Sequence, residues 1–264
     1  MQIYQVDSFS KEPFKGNPAG VCILEKFPET ELMQNIAMEM NLSETAFVVI
    51  EEGQYKIRYF TPVHEVPLCG HATLASAHIV YESGLIPVDR AFTFKSSESD
   101  LLISMEDGWI KMIFPVYEIS KISLPESFNE IIGINAVETY KSPNNWIVAR
   151  VKTEADVLDA APDFGAFEKE DLAVLVAVTA PADTPGYDFV VRVFCHPASG
   201  ITEDPATGSA NCILAPYWSE KLGKSQFKSK QLSKRTGELN IKLNGDKVVI
   251  KGQAVTVFKI KMNH

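Results

Sequence analysis

Three short stretches carry side chains able to take, give or hold a proton. The first is Asn41-Leu42-Ser43-Glu44-Thr45-Ala46-Phe47, where a carboxylate stands between the end of a helical pattern and the start of an apolar strand pattern. A glutamate at the inner end of a strand, among apolar neighbours, is a candidate general base. Most glutamates are exposed loop residues, and that reading stands beside the first. The second stretch is Cys69-Gly70-His71. His71 can orient a substrate, donate to it or act as an acid. Cys69 is either a nucleophile or base activated by a nearby helix start, or a small buried apolar side chain, which is the favoured reading. The third is Glu203-Asp204-Pro205, followed by Ala206-Thr207-Gly208-Ser209. Asp204 and Thr207 either meet a ligand or simply cap a helix.

Both of the later stretches are read as turns just before a helix. A helix start has unpaired N–H groups and the positive end of the dipole, which together hold an anion. Gly70, and Gly208 with Ser209, let the backbone approach that anion closely.

The elements that must position these turns follow from periodicity. Glu29–Met40 has apolar residues at Leu32, Met33, Ile36, Ala37 and Met40, a helical spacing. Ala72–Glu82 and Ser209–Leu222 read as helices stopped by Ser83-Gly84 and Gly223. Two shorter helices are predicted at Pro125–Ile132 and Glu154–Ala161. Strand patterns cover Gln2–Val6, Val21–Leu24, Ala46–Ile50, Ile57–Phe60, Ile110–Phe114, Ala173–Val178, Phe189–Phe194, Leu239–Leu243, Val248–Lys251 and Val255–Ile260. Glu52-Gly53, Asp107-Gly108 and Asn244-Gly245-Asp246 read as hairpin turns. Strands in runs argue for an α+β class rather than alternating βαβ units.

The chain also repeats itself. Slid along itself by about half its length, it lays Ile57-Arg58-Tyr59-Phe60 over Val191-Arg192-Val193-Phe194 and Ala72-Thr73 over Ala206-Thr207. Each segment reads strand, connection, polar turn, Ala-rich helix. The expectation is two similar lobes, 1–118 with Glu44 and the Cys69-Gly70-His71 turn, and 119–264 with the Asp204–Ser209 turn. The last strand can cross to the first lobe. A cleft between lobes is the expected place for a small-molecule site.

Composition narrows the function classes. The chain has 264 residues, a net charge of -9 and a pI near 5.1. So acidic a chain has no bulk attraction for nucleic acid or anionic lipid, and the basic run Lys221–Lys234 reads as a solvated face. The longest apolar stretch, Leu172–Val178, is far too short to span a membrane. Cys22, Cys69, Cys195 and Cys212 form no CxxC pair and fit no zinc spacing, and the histidines show no metal-ligand spacing, so no metal site is expected. No glycine-rich phosphate loop follows a strand. With no signal-peptide pattern at Met1–Phe9, the expected location is the cytoplasm.

Four motifs bring a family into view. Asp7-Ser8-Phe9 with Phe14–Val21, then Leu42–Phe47, Leu68–Leu74 and Glu203–Ala210 resemble, in order and spacing, the PhzF-like phenazine-biosynthesis family. The turn at Gln231–Gly237 extends the likeness over nearly the whole chain. The resemblance implies a fold like that of diaminopimelate epimerase, with two pseudo-symmetric lobes, each a curved, mostly antiparallel sheet around a central helix. It implies a cofactor-independent isomerase, often a homodimer, acting on a small carboxylate-bearing substrate. In the phenazine enzyme a glutamate in the position of Glu44 moves a proton within dihydro-hydroxyanthranilate. Carried over, Glu44 is the general acid/base. His71 and Asp204 bind polar groups or help the transfer. Asn17, Gly70, Thr207, Gly208 and Ser209 belong to the substrate-binding set. A two-cysteine epimerase is disfavoured, because the second turn has no cysteine. The alternatives are an amino-acid or hydroxy-acid epimerase or racemase, using Glu44 or Cys69 with Asp204, and a non-catalytic binding protein of the same fold.

Overall fold

Hairpins organise the first unit, and their turns are set by backbone conformation. The computed structural model describes residues 1–263. Contacts divide them into Met1–Ile113 with the stretch from Ile250 onward, and Phe114–Val249. The first unit opens with β1 (Gln2–Ser8), β2 (Asn17–Leu24), α1 (Thr30–Met40), β3 (Glu44–Glu51) and β4 (Gln54–Phe60). Then come β5 (Glu65–Val66), α2 (Gly70–Glu82), β6 (Phe92–Lys95), β7 (Asp100–Glu106) and β8 (Trp109–Pro115). Glu52 and Gly53 both have positive φ, as do Asp107 and Gly108. These two-residue turns match the twist of antiparallel strands and join Glu51 to Gln54 and Glu106 to Trp109.

Helix α1 buries Met33, Ile36 and Ala37 and ends where Asn41 turns left-handed. Helix α2 is buried on nearly every side, from His71 to Tyr81. An all-round apolar helix is stable only when wrapped, and α2 packs on β1, β2, β3 and the strand Ala254–Lys261. That last strand pairs antiparallel with β1, with Gln2 opposite Lys261.

In the second unit the elements are β9 (Ser120–Ile122), α3 (Glu126–Ile132), β10 (Glu138–Lys141), β11 (Trp146–Arg150), α4 (Glu154–Leu158), α5 (Phe164–Glu170) and β12 (Leu175–Pro181). They continue with β13 (Phe189–Cys195), β14 (Glu203–Asp204), α6 (Asn211–Leu222), β15 (Gln226–Gln231), β16 (Gly237–Asn244) and β17 (Lys247–Gly252), after which the chain returns to the first unit as β18, the strand Ala254–Lys261 already placed there. The core gathers Phe128, Ile132, Ile147, Val157, Phe167, Val176 and Phe194. Trp218 of α6 is buried, stacks on Phe189 with centroids 5.3 Å apart, and donates its indole N–H to Thr179 Oγ1 at 3.1 Å. Pro216 sits inside α6. It has no N–H for the carbonyl one turn back, and the backbone N–H of Tyr117 donates to that Cys212 carbonyl instead, at 3.0 Å.

Strand pairing repeats between the units. In the first, β2 runs parallel to β3, β3 antiparallel to β4, β4 antiparallel to β5 and parallel to β6, and β6 antiparallel to β7. In the second, β11, β12, β13, β14, β15 and β16 pair in the same order and senses. The α+β class is what the structure has.

The helix starts differ from expectation. Helix α2 begins at Gly70, two residues before Ala72, whereas α6 begins at Asn211 rather than Ser209. Asp204 ends a short strand and stands well before the helix. The cap of α6 is Ala210, with no side-chain cap hydrogen bond, so neither Asp204 nor Thr207 caps it. The turn's side chains are engaged elsewhere, as described below.

Candidate functional site

Parallel pairing of β2 and β3 sets the position of Glu44, which starts β3 opposite Ala19. The next pair is Gly20 and Thr45, and it is tight: a Cβ on Gly20 would lie 2.7 Å from Thr45 Oγ1. The absent side chain lets β3 sit close to β2 at the residue after Glu44. His71 is the second residue of α2. Its carbonyl accepts a hydrogen bond from Ser8 Oγ at 2.7 Å. Thr73 Oγ1 donates to the Cys69 carbonyl at 2.6 Å and also contacts the Tyr59 hydroxyl at 2.6 Å. The start of α2 is therefore tied to β1 and β4.

These constraints bring Glu44, Cys69 and His71 together. His71 Nε2 lies 3.1 Å from Glu44 Oε2, and the two side chains are 7% and 17% exposed. Glu44 Oε2 is itself buried and accepts no hydrogen bond of good angle, so the approach is an ion-pair contact that leaves lone-pair capacity on the oxygen. Cys69 Sγ lies 3.4 Å from His71 Nδ1.

Electrostatics separate the two neighbours of Glu44. Burial opposes charge on His71. Cys69 and Glu44, each in contact with the ring, outweigh it and hold the imidazole well above its ordinary pKa. Cys69 goes the other way. Burial first, and the Glu44 charge second, push its thiol up to about 11. The lowering expected from a helix start is overcome, and at neutral pH the side chain is a thiol. Cys212, inside α6, is likewise raised to about 12 by burial.

Sequence spacing predicted no metal ligands. Folding nevertheless places one ligand atom each from Glu44, Cys69 and His71 within 4.8 Å of one another. His78, on the same helix as His71, is apart from this group, with Nε2 3.2 Å from Thr256 Oγ1 and 3.5 Å from Glu82.

Asn17 is buried at the start of β2, paired with Ser8. Gly70 opens α2.

The second unit's turn is a hydrogen-bond network. Thr207 Oγ1 donates to Asp204 Oδ2 at 2.7 Å. Gln231 accepts from the Thr207 N–H at 2.8 Å and donates to the Asp204 carbonyl at 2.6 Å. Asn211 Nδ2 donates to the carbonyls of Thr207 and Gly208 at 3.2 and 3.1 Å. Ser209 is partly exposed beside the buried Gly208. Sequence reasoning passed over Gln231 and Asn211 as organisers, and over Ser8 as the anchor of His71. The Gln231–Gly237 turn and the Asp7-Ser8-Phe9 motif were the available signals.

Residues 6–260 match the family model described as phenazine biosynthesis-like protein, PhzC-PhzF. An uncharacterized isomerase of Halalkalibacterium halodurans is 41% identical over 98% of this chain and 97% of its own length. A solved phenazine biosynthesis protein of the PhzF family from Enterococcus faecalis superposes with a TM-score of 0.92 at 38% identity, covering 98% of this chain and 97% of its own. A Pseudomonas aeruginosa structure described as a predicted epimerase shares the fold, with a TM-score of 0.77 at 18% identity over 100% of this chain and 99% of its own. The architecture is thus that of the epimerase-like PhzF proteins. The chain belongs to the phenazine biosynthesis-like family, and that membership supports an isomerase-type activity. Among the described residues no helix is long and apolar enough to cross a membrane.

Proposed function

We propose that this protein is a cofactor-independent isomerase that moves a proton between carbons of a small carboxylate-bearing substrate, with Glu44 as the acid/base. The observation that carries the reading is Glu44 Oε2, buried, without a well-directed hydrogen bond, and 3.1 Å from a histidine with a raised pKa. A base for carbon needs a lone pair not already committed to a donor, and this oxygen has one. The neighbouring imidazolium can donate to negative charge that develops on the substrate. Glu44 takes the proton from one carbon and returns it to another, so it ends the cycle as it began. His71 orients the carboxylate and stays protonated. Asn17 and Gly70 are assigned to substrate binding in the first unit. Asp204, Thr207, Gly208 and Ser209 hold polar groups in the second, with Asp204 also a candidate helper in proton transfer. The family match and the isomerase description of a 41% identical relative support this class of chemistry.

The test is incorporation of solvent deuterium into carbon across a panel of small carboxylates. Wild type should exchange at least one of them and Glu44→Gln should not. Exchange that survives in Glu44→Gln removes Glu44 as the base.

A further inference from the structure

We propose that Glu44, Cys69 and His71 form a binding site for a thiophilic divalent cation, of which Zn2+ is the type. Their ligand atoms converge from two elements, the first residue of β3 and the start of α2, and lie within 4.8 Å of one another. Cys69 Sγ is 3.9 Å from His71 Nε2, and Nε2 is 3.1 Å from Glu44 Oε2. A tetrahedral zinc has bonds of about 2.1 Å to nitrogen and oxygen and about 2.3 Å to sulfur. Such bonds hold S and N about 3.6 Å apart and N and O about 3.4 Å apart. The sulfur–nitrogen and nitrogen–oxygen separations are therefore within a few tenths of an ångström, roughly, of what an ion requires, and all three ligand atoms lie within 4.8 Å of one another.

The donor set also selects the metal. One thiolate, one imidazole and one carboxylate suit Zn2+ or Co2+, whereas Mg2+ and Ca2+ prefer all-oxygen shells. Thiolate and carboxylate together balance the two positive charges. The Cys69 thiol proton and one proton of the His71 imidazolium are released to solvent as the Sγ–metal and Nε2–metal bonds form. Three protein ligands leave a fourth position for water or another small ligand. The start of α2 that carries two of the ligands is held by Ser8, Thr73 and Tyr59. A site on a fixed element loses less to ordering than one on a mobile loop.

Binding rests on this geometry alone. Its consequence rests on the proposed role of Glu44: a carboxylate that coordinates an ion cannot accept a proton from carbon, so the cation is an inhibitor of the isomerase and not its cofactor.

The experiment uses the full chain, cleared of metal with a chelator and titrated with Co2+ alone. Binding is expected to give thiolate-to-cobalt absorption in the near ultraviolet at one ion per chain, and Zn2+ should erase it. Cys69→Ala and Cys69→Ser should both lose the band although Cys22, Cys195 and Cys212 remain. Circular dichroism like that of wild type shows that the variants fold. His71→Gln should weaken the binding at least about tenfold. No thiolate band in wild type, or a band that persists in a folded Cys69 variant, overturns the proposal. The band needs no substrate, so it holds or fails independently of the deuterium exchange that tests Glu44.

Discussion

The two units pair their strands in the same order but equip their turns in opposite ways. The first turn runs straight into its helix: Cys69 is the residue before α2, and Glu44 reaches His71 there from β3. What results is a buried group of titratable side chains with an oxygen that has no well-directed hydrogen bond. In the second unit Pro205–Ala210 separate Asp204 from α6. The turn folds into a network in which Thr207 and Gln231 bond each other and the backbone, and Asn211 donates to two backbone carbonyls while its own Oδ1 has no partner among the described residues. One scaffold has thus been fitted once with a buried group of titratable side chains and once with a hydrogen-bonded polar frame. The difference teaches that a repeated topology fixes where a turn lies and leaves its chemistry to a few side chains.

The largest effect that would break this comparison is on turnover. Glu44→Gln keeps size and removes the base, and the deuterium-exchange rate should fall about 10²- to 10⁴-fold. Asp204→Asn should chiefly raise KM and leave a larger share of kcat. If Asp204→Asn abolishes exchange and Glu44→Gln does not, the two turns have been assigned the wrong way round. On the side of stability, Trp218→Ala removes the stacked, hydrogen-bonded anchor of α6. Unfolding by denaturant should show a loss of about 3–5 kcal/mol. A loss under about 1 kcal/mol would mean that α6 does not depend on that core contact.

The first unit's ion pair should appear in the pH dependence of stability. The His71 pKa is raised on folding, so the protonated form is the one that folding favours. Its contribution is complete below the unfolded value of about 6.5 and is lost as pH rises through the higher folded value. His71→Asn should therefore cost most near pH 6, and the cost should shrink as pH climbs into the alkaline range. A cost that does not change with pH would show that the contact stabilises no charge.

Much of the frame was legible because local chemistry dictates it. Glu52-Gly53 and Asp107-Gly108 announce hairpins, since few other pairs tolerate two positive φ values in succession. Helix α1 follows from the spacing of Met33, Ile36 and Ala37. The mixed strand β7, Asp-Leu-Leu-Ile-Ser-Met-Glu, and the short polar strand β10, Glu-Thr-Tyr-Lys, went unseen because partners rather than propensity make them strands. Helix α5 is short and carries Gly165, so its pattern is weak. The start of α6 was set two residues early because Ser209 and Ala210 carry no signal against a helix, and the turn they close is held by Gln231, far along the chain. The meeting of Glu44 with His71 and Cys69 is of the same kind. Motif likeness pointed to those residues, but no local spacing shows that β3 and the start of α2 bring their side chains into contact. The sign of the Cys69 shift could not be read either, because burial and the Glu44 charge, both tertiary, override the helix start.

Gln231 offers the finest test of the polar-frame reading. The side chain is fully buried, accepting from the Thr207 N–H and donating to the Asp204 carbonyl and to Thr207 Oγ1. Gln231→Ala strands a buried N–H and a buried carbonyl, which should cost about 1–3 kcal/mol in denaturant unfolding. Gln231→Glu keeps the acceptor for Thr207 but sets a carboxylate against the Asp204 carbonyl, so it should be no better tolerated than alanine. If the network only stabilises the fold, both variants lose stability and their KM values match wild type. If it holds Asp204 and Thr207 in place for a ligand, KM rises in both by more than the lost stability explains, while deuterium exchange at saturating substrate survives. That split would set the second turn apart from the first, where a substitution at Glu44 removes the exchange itself.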